Sequence, residues 1–257
     1  MVKRYIILLV AFSCSCEPTI HKNAGIDYYQ DSSISDKKGN LIDTSRYYFP
    51  SEFMQDSTAK ELQGIDTFKL QFYSGILRCF KEPILYNYYL GNEVLRFLWV
   101  RSFDKPILIT VKLNKTITVN TKMLKSFSDC FIQIYLPGNS PNSKNIFLSN
   151  NLESIKSSFP FADSIVLPRY DTGIVLDTTY VIKKSQWNNL LALVDSCDFW
   201  ELKPFNMTLG HDGAYWILEA QTKEKYQFVE RWSPNDSFSK CCEYIIKLSA
   251  AKNEEIY

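Results

Sequence analysis

The chain has 257 residues, of which 46% are hydrophobic and 22% are charged, and its 29 basic and 28 acidic residues leave a net charge of +1. These values are ordinary for a globular protein, and the length allows one large domain with a sizeable core. A nearly neutral chain without a long basic block lacks the electrostatic signature of a nucleic-acid-binding protein, so we expect no nucleic-acid partner.

The first residues predict export from the cytoplasm. Lys3 and Arg4 precede an apolar run over 5–12, and serines then precede two cysteines, which is the order of a secretory signal peptide. The run is too short to cross a bilayer core, which needs about 20 apolar residues. A cysteine after small residues at the end of such a run resembles a bacterial lipobox, in which the thiol is acylated and the chain is cut just before it. We therefore predict a lipoprotein signal peptide over 1–15.

Two cysteines can carry the lipid. Cys16 is preferred because the apolar stretch that ends at Cys14 has the length usual for a signal peptide, and Cys14 is the alternative. An ordinary cleaved signal with two incidental cysteines is the third possibility. Two or more acyl chains would anchor the protein stably, whereas one chain binds a membrane only marginally. The expected location is the bacterial cell envelope, on the periplasmic side of the inner membrane or on the outer membrane.

The next segment, 16–65, is polar and weakly periodic, which predicts a tether with structure beginning near Tyr47. We assign 66–257 to a single domain. Its first half predicts one or two helical turns over 74–80, with Ser74 as the cap. Strands follow at 94–103, 107–113 and 117–119, the first two joined as a hairpin across a turn at 104–106.

The second half of the domain shows a clearer pattern. A helix with Ser185 as its N-cap places one apolar face at Trp187, Leu190, Leu191, Val194 and Cys197. A second hairpin is predicted over 214–220 and 225–232, and a last helix begins near Pro234 with Asp236 or Ser237 as its cap. Its apolar face consists of Phe238, Cys241, Cys242, Ile245 and Leu248. The order predicts an α+β fold, with an antiparallel sheet built from hairpins and helices packed on one face.

Beyond Cys14 and Cys16 the chain contains five cysteines, namely Cys79, Cys130, Cys197, Cys241 and Cys242. They show no regular framework, and an odd number cannot all pair with one another. Export permits disulfides without requiring them. A bridge from Cys197 to Cys241 or Cys242 is one possibility, and free cysteines that act as small apolar side chains are the other.

The sequence contains no motif of a known catalytic or metal centre. Of its two histidines, His21 lies in the predicted tether and His211 in a glycine-flanked turn. We expect neither a metal nor a cofactor. The strands contain several charged residues: Glu82, Arg96, Arg101, Glu219, Glu230 and Arg231. Asp212, Glu219 and Arg231 form a speculative ligand or carboxylate site. Pairing of glutamate with arginine across strands on a solvated sheet face is the structural alternative.

Two blocks of sequence resemble a bacterial lipoprotein family without an assigned function. The first runs from Glu82-Pro83-Ile84-Leu85-Tyr86 to the Leu95-Arg96-Phe97-Leu98-Trp99-Val100-Arg101-Ser102-Phe103 stretch and Pro106-Ile107. The second contains Phe199-Trp200, Asp212-Gly213-Ala214-Tyr215-Trp216-Ile217-Leu218-Glu219, Tyr226 and Arg231-Trp232-Ser233-Pro234. Together they span about 68–250. The resemblance implies a shared fold and transfers no activity and no catalytic residue.

Three hypotheses of function follow from the sequence. The first is a lipid-anchored, non-catalytic envelope protein that binds another envelope protein or a glycan. A narrower form of it is an immunity lipoprotein that neutralises a toxin in the periplasm. The third is an envelope hydrolase that uses carboxylates such as Asp212 and Glu219, which requires the two to share a cleft at roughly 5–10 Å from each other.

Overall fold

The computed structural model describes residues 27–43, 46–51, 60–135, 145–147, 156–157, 164–166, 173–206, 210 and 212–256. Its helices are α1 (Lys60–Cys79), α2 (Lys184–Ser196) and α3 (Ser237–Leu248). Its strands are β1 (Glu93–Arg101), β2 (Ile107–Leu113), β3 (Ile117–Leu124), β4 (Ile132–Tyr135), β5 (Asn145–Phe147), β6 (Ser164–Val166), β7 (Ile174–Val181), β8 (Ala214–Gln221) and β9 (Tyr226–Trp232). Short 3-10 helices span Phe127–Cys130 and Phe199–Glu201.

Within these residues, six strands form one antiparallel sheet in the order β7-β3-β2-β1-β8-β9, and three form a small sheet in the order β5-β4-β6. Both predicted hairpins are present as β1–β2 and β8–β9. β1 also pairs with β8, so the two hairpins lie side by side in the large sheet. The predicted α+β fold on an antiparallel sheet is therefore confirmed.

Helices α2 and α3 cover one face of the large sheet, as predicted. Their apolar positions pack on the rings of Phe97, Trp99 and Trp216, whose centroids lie 5.5–6.4 Å from one another. Asp236 caps α3 by accepting the backbone N–H groups of Phe238 and Ser239. Ser185 does not cap α2, because that helix begins one residue earlier, at Lys184. The buried positions of the two helices are Trp187, Leu190, Val194, Phe238, Cys241, Cys242, Ile245 and Ile246.

The opposite face of the sheet is covered by α1, of which the sequence predicted only the last turns, over 74–80. The helix has 20 residues instead of one or two turns, and Leu70, Tyr73, Ile76 and Leu77 are buried at helical spacing along it. These side chains belong to a second core that includes Leu98 and Ile217 of the sheet. The sheet therefore has a helical layer on each face.

Part of the predicted tether belongs to this second core. Tyr48 and Phe49 are buried, and the ring of Phe49 lies 4.9 Å from that of Phe228 on β9. Ser74 lies inside α1 and so does not cap it, and its hydroxyl accepts a hydrogen bond from the backbone N–H of Tyr48. Packing of two aromatic side chains removes a large apolar area from water, which explains why this polar segment is ordered along 46–51.

A disulfide joins Cys79, the last residue of α1, to Cys130 in the first 3-10 helix. Cys197, Cys241 and Cys242 are buried as free thiols, so the alternative bridge between them is absent. Burial raises the pKa of Cys197 to about 11, and it raises the pKa of the other two as well. These three side chains serve as apolar packing at the α2–α3 layer.

Candidate functional site

Glu219, one of the three predicted site residues, is paired with Arg96 in the core. Nε and Nη2 of Arg96 donate to the two carboxylate oxygens at 2.6 and 2.8 Å. The hydroxyl of Tyr226 donates to the same carboxylate at 2.8 Å. The Arg96 side chain is 0% exposed and the Glu219 side chain 1%. The predicted cross-strand pairing of glutamate with arginine is therefore present, but on a buried face of the sheet rather than a solvated one.

The ion pair extends into a small network of charges. Nη1 of Arg96 donates to the carbonyl of Pro83 at 2.7 Å and lies 3.7 Å from the carboxylate of Glu82. Nζ of Lys122 donates to the other oxygen of Glu82 at 2.7 Å. Burial alone would lower the pKa of Arg96, but the interactions with Glu219, Glu82 and Tyr226 together outweigh it and raise that pKa. Two cations therefore balance two carboxylates, which is the condition for keeping such charges away from water.

Beside this network lies a cavity of about 30 Å³. Thr110 and Arg96 line it, and the Thr110 hydroxyl is buried without a hydrogen-bond partner among the described residues. The volume suits one water molecule and excludes an organic substrate. Hydrogen bonds from Arg96 and Tyr226 hold the Glu219 carboxylate in the core. The ion pair therefore stabilises the fold, and the cavity beside it is not a substrate site.

The other two predicted site residues lie elsewhere. Asp212 is exposed in the turn before β8, and the five residue-to-residue steps from Ala214 to Glu219 alone span roughly 17 Å of strand. Arg231 lies opposite Trp216, on the α2–α3 face of the sheet, where its Nη1 donates to the carbonyls of Glu230 and Lys203 at 2.7 and 3.0 Å. The structure therefore does not bring Asp212, Glu219 and Arg231 together.

An open groove, larger than the cavity beside Arg96, lies at one end of the large sheet among the described residues. It has a volume of about 490 Å³ and lies between the β2–β3 turn and the first turn of α2. Ligand-binding cavities in proteins have volumes of about 300–1,000 Å³, so the groove has room for a side chain or a small molecule. Its apolar walls are Leu113, Ile117, Val181, Ile182 and Trp187.

The polar rim of the groove is basic. Lys115 in the β2–β3 turn and Lys184 at the start of α2 line it with Thr116 and Asn188, and no lining residue is acidic. Within the described residues neither lysine has an ion-pair partner. The first turn of α2 contains no acidic residue either, so the positive end of the helix dipole is not neutralised there. The groove can therefore hold an apolar group that carries a negative charge beside it.

Comparisons with protein-family models, with curated proteins and with solved structures find no match to this chain. No helix in the described part of the chain is both long enough and apolar enough to cross a membrane. In the same part, no cluster of histidine, cysteine and carboxylate side chains is suited to hold a metal ion. Cys14, Cys16, His21 and His211 lie outside the described residues.

No local signal in the sequence marks the groove. Lys115 and Lys184 are far apart in the chain, and they approach each other because β3 pairs with β7 and the N–H of Ile182 donates to the carbonyl of Ile117 at 2.9 Å. The disulfide between Cys79 and Cys130 was not predicted for a similar reason, because cysteines 51 positions apart match no known spacing motif.

Proposed function

We propose that this chain is a lipid-anchored protein of the bacterial cell envelope whose α+β domain binds another envelope component without catalysing a reaction. The anchor hypothesis is supported by the signal-like sequence that ends at Cys16, with Cys14 as the alternative. The Cys79–Cys130 disulfide supports the same compartment, because such bonds persist in oxidising surroundings outside the cytosol.

The observation that carries the binding hypothesis is the open groove of about 490 Å³ with an apolar floor and a basic rim. A concave apolar site with a few convergent polar groups is the usual form of a binding site. The hydrolase hypothesis lacks such support, because Glu219 is held by Arg96 in the core while Asp212 lies on the surface.

Site-specific photo-cross-linking in living cells tests this proposal. A photoreactive amino acid at Asn188, on the rim of the groove, is compared with the same group at Lys240, an exposed position of α3. We expect the Asn188 position to cross-link reproducibly to one envelope component that mass spectrometry identifies, and the Lys240 position to yield none of it. Equal products from both positions, or no product from Asn188, would contradict the proposal.

A further inference from the structure

We infer that the groove and the neighbouring edge of β7 together bind an extended, acidic segment of a partner polypeptide. The inference rests on the proposed function and specifies its partner. Val181 connects the two features, since it is the last residue of β7 and also a wall of the groove. A bound segment that runs along β7 therefore continues into the groove.

The edge of β7 offers backbone groups for strand addition. Ile182 directs its N–H towards β3, so the N–H groups of alternate residues of β7 point the same way and those of 175, 177, 179 and 181 point outwards. Within the described residues, no backbone hydrogen bond reaches this outer side. The opposite edge differs, because the N–H of Glu230 on β9 donates to the carbonyl of Pro204 at 2.7 Å.

The side chains of β7 also favour a partner. Val175, Tyr180 and Val181 are 49%, 45% and 72% exposed, although valine and tyrosine normally pack against neighbours in a sheet. Exposed sheet edges in native proteins are usually protected by charges, proline or a covering segment. Among common ligands, a polypeptide satisfies a row of backbone donors and acceptors by adding a strand, which a glycan does not do.

The basic rim of the groove favours a partner polypeptide with acidic side chains. Lys115 and Lys184 lie at the groove without ion-pair partners within the described residues, so carboxylates next to an apolar side chain complement the site. A second copy of this chain would offer β7 itself, whose one carboxylate, Asp177, already accepts a hydrogen bond from Asn120 at 2.7 Å. Charge therefore favours a different, acidic chain over self-association.

A defined peptide tests the inference on the full, lipidated chain purified in non-ionic detergent. The probe is a fluorescein-labelled peptide of about nine residues in which valine alternates with glutamate, roughly 30 Å long when extended. Lysine replaces every glutamate in the matched control peptide. We expect fluorescence anisotropy to show binding of the acidic peptide that weakens as salt is added, and binding of the control at least about tenfold weaker.

Two pairs of variants separate the groove from the edge. Lys115→Glu with Lys184→Glu reverses the rim charges, and Lys240→Glu with Lys247→Glu makes the same change on exposed positions of α3. Thr179→Pro removes one outward N–H together with the side-chain hydrogen bond from Asn120, while Asn120→Ala loses that hydrogen bond and keeps every N–H of β7. We expect the first member of each pair to weaken binding at least about tenfold and the second to leave it unchanged.

The outcomes distinguish this inference from the proposed function. Equal binding of the two peptides, no binding of either, or full binding by the Thr179→Pro variant overturns the inference. If Asn188 still cross-links to an envelope component in that case, the binding function stands and only the partner chemistry is wrong. A concentration-dependent doubling of mass without peptide, abolished by Thr179→Pro, would identify a second copy as the occupant and also overturn the inference. Circular dichroism of each variant establishes that it is folded.

Discussion

Arg96 and Glu219 show how the core tolerates charge in the middle of the large sheet. Each side chain is withdrawn from water, and each is held by the other and by a further partner, Pro83 for the arginine and Tyr226 for the glutamate. Removing one member of such a pair leaves an uncompensated buried charge, whereas apolar residues of similar volume in both places are often tolerated. The pair is therefore expected to matter for stability and not for catalysis.

We predict that Arg96→Met lowers the free energy of unfolding by about 3–5 kcal/mol, because the carboxylate of Glu219 then has no counter-ion in the core. The double variant Arg96→Met, Glu219→Leu is expected to lose less than the single variant. Asp212→Asn is the control, since an exposed side chain changes stability by no more than about 0.5 kcal/mol. Urea unfolding followed by tryptophan fluorescence gives all three values. A double variant less stable than the single one would contradict this account.

Gly75 lets α1 approach the first 3-10 helix closely. A Cβ atom at this position would overlap the ring of Phe131, which is itself buried. The same contact brings Cys79, at the end of α1, to Cys130, where the disulfide fixes the arrangement. This junction holds the helix that forms the second layer of the domain.

Gly75→Ala tests the close contact between α1 and Phe131, because the contact determines whether the substitution raises or lowers the free energy of unfolding. In an exposed helix the change to alanine stabilises by about 1 kcal/mol. Here we expect it to destabilise by about 1–3 kcal/mol, because the methyl group has no space. In a Phe131→Ala background the same change is expected to be neutral or stabilising, which a double-mutant cycle measured by urea unfolding detects. Stabilisation by Gly75→Ala in the wild-type background would show that the helix does not pack as described.

The disulfide gives a second prediction for this junction. The bond closes a loop of 51 residues, and its loss is expected to lower the free energy of unfolding by about 2–4 kcal/mol because the unfolded chain gains freedom. Reductant should therefore destabilise the wild-type chain, and it should have no further effect on the Cys79→Ala, Cys130→Ala variant. Unfolding curves with and without dithiothreitol measure both effects. An equal response of the two proteins would place the redox-sensitive bond elsewhere.

The complete domain shows which features a sequence predicts from local patterns and which require contacts between distant segments. The apolar faces of α2 and α3 and both hairpins were predicted, because periodicity and turn residues lie within one element. For the layer formed by α1 and the 46–51 segment, helical turns over 74–80 and a start of structure near Tyr47 were predicted, but not the full length of the helix or the packing of the layer on the sheet. Its packing depends on pairs such as Phe49 with Phe228, which no local pattern reveals. The groove was not predicted for the same reason, because the β2–β3 turn and the first turn of α2, which form it, lie far apart in the sequence.

Membrane attachment concerns the molecule as a whole, and the proposed acylated cysteine makes it testable. If Cys16 carries the lipid, Cys16→Ser removes the acyl chains whose burial contributes about 0.8 kcal/mol per CH₂ group. We expect this variant to leave the membrane fraction, whereas Cys14→Ser, within the cleaved signal, stays membrane-bound. Fractionation with immunoblotting follows the protein, and mass spectrometry of the amino-terminal peptide identifies the modified residue. Release by Cys14→Ser alone would assign the lipid to Cys14, and an unmodified amino terminus that still begins at Met1 would refute the anchor and, with it, the envelope location.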